Sequence, residues 1–126
     1  MALTNAGRNF IAQAIMNDTP TFYTNANARI GVGDSSTAFA ANQTDLQATT
    51  NKLRVAMESG FPTRTDNLLT FKSSFGSSDA NYAWNEWGIF NNASAGVMLN
   101  RKVEALGTKS SGTWVLTVEL TVTIGS

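Results

Sequence analysis

The stretch Tyr82–Arg101, YAWNEWGIFNNASAGVMLNR, constrains the fold of this chain more than any other. At the strand period of two, Tyr82, Trp84, Glu86, Gly88 and Phe90 fall on one face and Ala83, Asn85, Trp87 and Ile89 on the other. The turn formers Asn91–Gly96 follow, and Val97, Leu99, Arg101 and Val103 restart the alternation. The pattern predicts a β-hairpin with bulky apolar side chains on both faces. Such a hairpin has to be covered twice, by a second sheet, a helix or another subunit. The chain is therefore expected to be a packed or assembling β protein.

The clearest alternation lies further on. Trp114, Leu116, Val118, Leu120, Val122 and Ile124 interleave with Thr113, Val115, Thr117, Glu119, Thr121 and Thr123. This predicts a strand of roughly 36 Å over Trp114–Ile124, with one apolar face and one rich in threonine. Leu3–Met16 instead carries Leu3, Ala6, Phe10, Ile11, Ala14 and Ile15 at helical spacing, with Thr4 or Asn5 as N-cap and Asn17–Pro20 as the stop. Gly7 weakens that helix by about 1 kcal/mol relative to alanine. A helix this short must pack its Phe10, Ile11 and Ile15 face on the sheet or on a neighbour.

Between these segments, Ala28–Asp34 and Lys52–Glu58 read as strands, the second with Leu53, Val55 and Met57 inward. Ser35–Thr50 reads as a long polar loop anchored only by Phe39 and Leu46, with a helical turn at Gln43–Ala48 capped by Thr44. Leu68–Phe75 returns with Leu69, Phe71 and Phe75 on one face and is expected to pair with Lys52–Glu58. Gly76–Asn81 is a turn, and Gly107–Gly112 is expected to be a flexible connection. The expected architecture is a single domain over residues 1–126: mainly β, an antiparallel β-sandwich of about six strands with one N-terminal α-helix.

Charged residues make up 14% of the chain, roughly half of ordinary usage. The polar surface must be threonine, asparagine, serine and glycine, groups that cost less to bury in an assembly than charges do. Nine basic and nine acidic residues balance, and only Arg101-Lys102 place two cations side by side. There is no phosphate-binding footprint, so no nucleic-acid partner is expected. A net charge of zero also removes repulsion between copies and favours self-association. No apolar run approaches the ~20 residues of a membrane span, and MALTNAGRNF lacks the form of a secretion signal, so no membrane partner is expected.

The chain has neither histidine nor cysteine. Ser-His-Asp, Cys-His, zinc and disulfide chemistries are thereby excluded, and carboxylates remain. Glu86, between Trp84 and Trp87, is the candidate acid, with Asp79 or Glu104 as partner in a glycosidase-like pair. The scarcity of partners favours another role for Glu86, bonding nearby backbone or Arg101 as an anchor of the hairpin. Gly31–Ser36 lacks the lysine and the third glycine of a phosphate loop, and Asp34, Asp45 and Asp79 lack calcium-loop spacing. Tyr82, Trp84, Trp87 and Phe90 could stack sugars, but Trp84 and Trp87 are expected on opposite strand faces. Packing in a core or a subunit interface is the better reading for them, and for Trp114. No catalytic residue, metal, cofactor or small-molecule substrate is expected.

The pattern Glu86-Trp87-Gly88-Ile89-Phe90-Asn91, a small-residue turn and Met98-Leu99-Asn100-Arg101 resembles the hairpin of bacteriophage tail-collar and tail-fibre proteins. Leu3-Thr4-Asn5-Ala6-Gly7 is similar to that family's opening, and Ile30-Gly31-Val32-Gly33-Asp34 to its glycine-rich strand. The resemblance implies a non-enzymatic structural subunit of a tailed-phage virion, of tail, collar or fibre-attachment type. It would be made in the host cytoplasm without a signal peptide and located in the virion, as a homo-oligomer partnered by other virion proteins. The family's fibre proteins continue into shaft domains while this sequence stops at Ser126, which is expected of a small free-standing virion protein as much as of a fibre anchor. The alternatives are a capsid decoration (cement) protein on the phage head, a carbohydrate-binding β-sandwich module with Trp84 or Trp87 exposed, and a small carboxylate hydrolase. The candidate assembly residues are Trp84, Glu86, Trp87, Phe90 and Arg101 of the hairpin and Phe10, Ile11 and Ile15 of the helix, with Ser35–Thr50 as a second contact.

Overall fold

The computed structural model describes residues 2–123. The elements are α1 (Asn5–Met16), β1 (Arg29–Gly33), β2 (Lys52–Ala56), β3 (Thr63–Thr65), β4 (Leu68–Phe75), β5 (Ala83–Phe90), β6 (Met98–Thr108) and β7 (Trp114–Thr121). They form two antiparallel sheets, β2-β1-β5-β6 and β3-β4-β7, stacked as a β-sandwich with α1 packed on β6. Between the sheets lie Ile30 and Val32 of β1, Phe71 and Phe75 of β4, Trp84, Trp87 and Ile89 of β5, and Val118 of β7.

Helix α1 begins because Thr4 is extended and its Oγ1 accepts the Gly7 N–H at 2.9 Å, satisfying one of the free donors of the first turn. It ends at Asn17, whose φ of 50° lets its own N–H turn back to Ala14 O. Of its apolar face, Phe10 is buried, with Phe22 and Tyr23 meeting its ring edge-on at centroid distances of 6.4 and 4.9 Å. Gly7 is more than a weak spot. A Cβ there would lie 2.8 Å from the carbonyl carbon and 2.9 Å from the Cα of Leu99, and closer still to its oxygen. These are backbone atoms of β6, which cannot swing aside. Gly7→Ala is accordingly expected to destabilise by up to about 2 kcal/mol, as crowding outweighs the gain in helix propensity. Urea denaturation checks this; a gain in stability would mean that α1 is not seated on β6.

The strands depart from strict alternation in instructive places. The expected pairing of Lys52–Glu58 with Leu68–Phe75 does not form. β2 pairs instead with β1, Ile30 opposite Val55, and β4 pairs with β3 and β7. After Ala56 the chain crosses to the other sheet, where the backbone bond from Glu58 N–H to Lys72 O at 2.8 Å, the bond from Ser73 Oγ to Val55 O at 3.3 Å and the Lys72–Glu58 ion pair at 3.2 Å join the two segments without a ladder. β7 is also shorter than its alternation, ending at Thr121, with Val122 57% exposed; Ile124 lies outside the described residues. Its apolar face is only partly covered, since Val118 alone among its residues is fully buried.

The register between β5 and β6 is irregular at two places, each with extra residues on β6. Between Trp84 and Glu86 the partner shifts from Gly107 to Val103, and between Ile89 and Phe90 from Asn100 to Met98. Trp84 and Trp87, on either side of the first irregularity, join one buried cluster, correcting the expectation of opposite faces. The second separates Leu99 from Arg101, which strict alternation would keep together. Leu99 joins the cluster between the sheets while Arg101 pairs with Glu86.

Candidate functional site

Of the sequence-predicted residues, Glu86, Phe90 and Arg101 converge on the outer face of the hairpin, while Trp84 and Trp87 lie between the sheets. Glu86 and Arg101 point away from the second sheet, yet both side chains are fully buried. Their cover is the Ser35–Thr50 segment. It contains no helical turn at Gln43–Ala48, because the peptide N–H groups there are used elsewhere. Gln47 N–H donates to Glu86 Oε1 at 2.8 Å, Ala48 N–H to Oε2 at 2.8 Å and Ser35 N–H to Oε2 at 3.4 Å. Arg101 Nε–H donates to Oε1 at 2.7 Å, and its Nη1 reaches Gln43 Oε1 at 3.2 Å. One carboxylate thus ties the loop to both strands of the hairpin. Charge-assisted bonds of this kind are about twice as strong as neutral ones.

The glycines of β1 make the room. A Cβ on Gly33 would collide with the Glu86 carboxyl, and one on Gly31 would sit 2.7 Å from the Phe90 ring. Phe90, Leu46 and Met98 form a small second core beneath the loop. Arg54 lies over Phe90 at 3.7 Å from the ring centroid, and its Nη1 donates to Asn92 O at 3.0 Å and Ala95 O at 2.8 Å, fixing the hairpin turn. Sequence reasoning missed the part played by the loop. The one available signal was Leu46, an isolated apolar residue in a polar run.

Asp45 fastens the same loop by ion pairs to Lys52 at 3.0 Å and Arg54 at 3.2 Å. Partial burial pushes its carboxyl up, but hydrogen bonds from Lys52, the Leu46 N–H and Arg54 outweigh that and hold it below the ordinary value. A carboxyl lowered on folding stabilises above its unfolded pKa and loses that contribution as pH falls through the folded one. The destabilisation caused by Asp45→Asn should therefore be present at neutral pH and shrink below about pH 4. Paired urea titrations of the two proteins measure this. Exposure of the group keeps the effect small.

The arrangement does not suit acid catalysis. Both oxygens of Glu86 are occupied by donors, and the group is sealed from solvent. Neither proposed partner approaches it: Asp79 accepts the Gly76 N–H at 2.9 Å, and Glu104 accepts the Trp87 indole N–H at 3.2 Å and pairs with Lys102. Nor do Trp84 and Trp87 offer a sugar platform, being 2% and 5% exposed. Among the described residues, no group of three or more His, Cys, Asp or Glu side chains is placed to hold a metal, and no helix is long and apolar enough to cross a membrane.

A second surface lies on the far side of α1. Ile11 is 40% exposed and Ile15 79%, and they are joined by Met16 at 78% and Phe22 at 48%. Beside them runs an apolar groove of about 410 Å³ between α1, the Phe22–Tyr23 segment and the ends of β4 and β7. Phe22 and Met16 escaped sequence reasoning, although an aromatic pair directly after the helix stop was available as the partner of Phe10. The chain matches no model of a known protein family, and a comparison with characterised proteins finds no significant match.

Proposed function

We propose that this chain is a non-enzymatic structural subunit of a tailed-phage virion, of tail, collar or fibre-attachment type, acting by assembly with copies of itself and other virion proteins. The observation that carries this reading is the way three separate sequence motifs act as one unit. Thr4 caps α1 and its hydroxyl also donates to Met98 O, while Gly7 sits against Leu99. Gly31 and Gly33 make room for Phe90 and Glu86, and Glu86 holds Arg101. The residues that carry the resemblance to tail-collar and tail-fibre proteins are thus the ones that lock helix, glycine-rich strand and hairpin together. Three motifs that act as one mechanical unit in this chain support the family reading more than three scattered likenesses would.

Burial of Glu86, Trp84 and Trp87 weighs against the hydrolase and carbohydrate-binding alternatives. The exposed apolar strip on α1 supports a protein that works through contacts, because large exposed apolar patches mark interaction surfaces. Immunogold labelling of virions from the phage encoding this chain tests the proposal. Gold at the tail or collar is the expected result. Gold over the head would make the chain a decoration protein, and no label on intact or disrupted particles would overturn the virion reading.

A further inference from the structure

The far end of α1 and the groove beside it differ in shape and in charge, and each supplies what the other lacks. Ile15 and Met16 project from the last turn of the helix, more than three-quarters exposed. That turn carries no basic residue, and Asp18 follows directly after the cap, with no ion-pair partner among the described residues. The helix end is therefore an apolar knob with a negative tip, where the carboxylate adds to the partial charge of the terminal carbonyls. The groove is the converse. Its walls and floor include Phe10, Ile11, Phe22, Leu69, Phe71 and Leu120, and Arg64 stands among its lining residues. Arg64 is exposed and donates to Asp66 O at 2.9 Å, with no carboxylate partner among the described residues.

Ile11 belongs to the groove wall, and Ile15 lies one helical turn beyond it, so knob and groove are neighbouring patches on one surface. A helix cannot enter a groove of which it is itself a wall. We propose that the occupant is the helix end of a second copy of this chain, in a two-fold contact. The Ile15–Met16 knob of each subunit enters the groove of the other, and each Asp18 meets the partner's Arg64. A self-complementary patch with adjacent halves closes on itself in this way, forming the contact twice. Zero net charge leaves no long-range repulsion against it. The volume of about 410 Å³ lies in the range that takes a compact apolar group. The inference rests on the assembly reading and names its first partner.

Sedimentation equilibrium of the full chain tests it, with Ile15→Asp, Asp18→Arg, Arg64→Asp and the double reversal Asp18→Arg/Arg64→Asp. All three positions are exposed, so circular dichroism should show the fold retained in each variant. The wild type is expected to dimerise, Ile15→Asp to be monomeric, and each single reversal to weaken association by about tenfold or more. The double reversal should recover most of that loss, which a merely sticky surface would not. A monomer at every concentration, a closed trimer, or a double reversal no tighter than the singles would overturn the proposal. A monomer that still labels the virion would leave the functional reading standing; a dimer without virion label would do the opposite.

Discussion

Glu86→Ala is expected to destabilise the protein by about 3–5 kcal/mol and to release the Ser35–Thr50 loop, although the substitution removes no apolar contact between the sheets. The cause is what remains behind. Arg101 is fully buried, and without Glu86 its charge has no counter-ion, which is far costlier than the pair itself is favourable. The N–H groups of Gln47 and Ala48 lose their acceptor as well, at about 1–3 kcal/mol for each that stays buried. Glu86→Gln should be nearly as damaging, because an amide keeps the shape but not the charge and turns an NH2 towards other donors. Adding Arg101→Met to Glu86→Ala should recover part of the loss by removing the orphaned charge. Urea denaturation gives the energies, and amide exchange at Gln47 and Ala48 reports the loop. A loss below about 0.5 kcal/mol for Glu86→Ala, the range of ordinary surface substitutions, would refute the buried anchor.

Trp84→Ala should cost a comparable amount, about 3–5 kcal/mol, for a different reason. Trp84 is 2% exposed, its ring meets Phe75 at 4.8 Å and Trp114 at 5.0 Å, and its indole N–H donates to Ala80 O at 2.9 Å. Truncation removes the central member of three aromatic rings joining the two sheets and leaves a cavity that close-packed neighbours fill poorly. Trp84→Phe keeps most of the volume and forfeits the hydrogen bond, so a smaller loss is expected. A sugar-binding Trp84 would give the opposite pattern, with ligand affinity lost and stability unchanged. Chemical denaturation and glycan binding, measured on the same variant, separate the two.

Much of this was legible in the residues. Thr4, Asn17 and the three-and-four spacing between them define α1 almost to its ends, because a helix is specified by neighbours within a turn. The hairpin was legible from aromatic alternation around a cluster of turn formers. The role of Glu86 was half legible: a carboxylate on a strand this apolar must find donors, and Arg101 was the cation in reach. The helix face was only partly so, since spacing grouped Phe10, Ile11 and Ile15, whereas the fold buries the first and leaves the other two to solvent.

By itself the sequence determined the periodicities: one helix, a set of strands, and a mainly β architecture too apolar on both hairpin faces to remain a single layer. The tertiary structure alone decided which strands pair, where the register between β5 and β6 is irregular, and what covers the outer face. Pairing is a contest between distant segments, so alternation shows that Lys52–Ala56 is a strand without showing that Arg29–Gly33 is its partner. An extra residue on one strand needs no particular side chain, yet it moves everything beyond it. The loop was hidden for the plainest reason. It is held to Glu86 by backbone N–H groups, which nearly every residue carries alike, so a segment that binds through its backbone leaves little signature in its side chains.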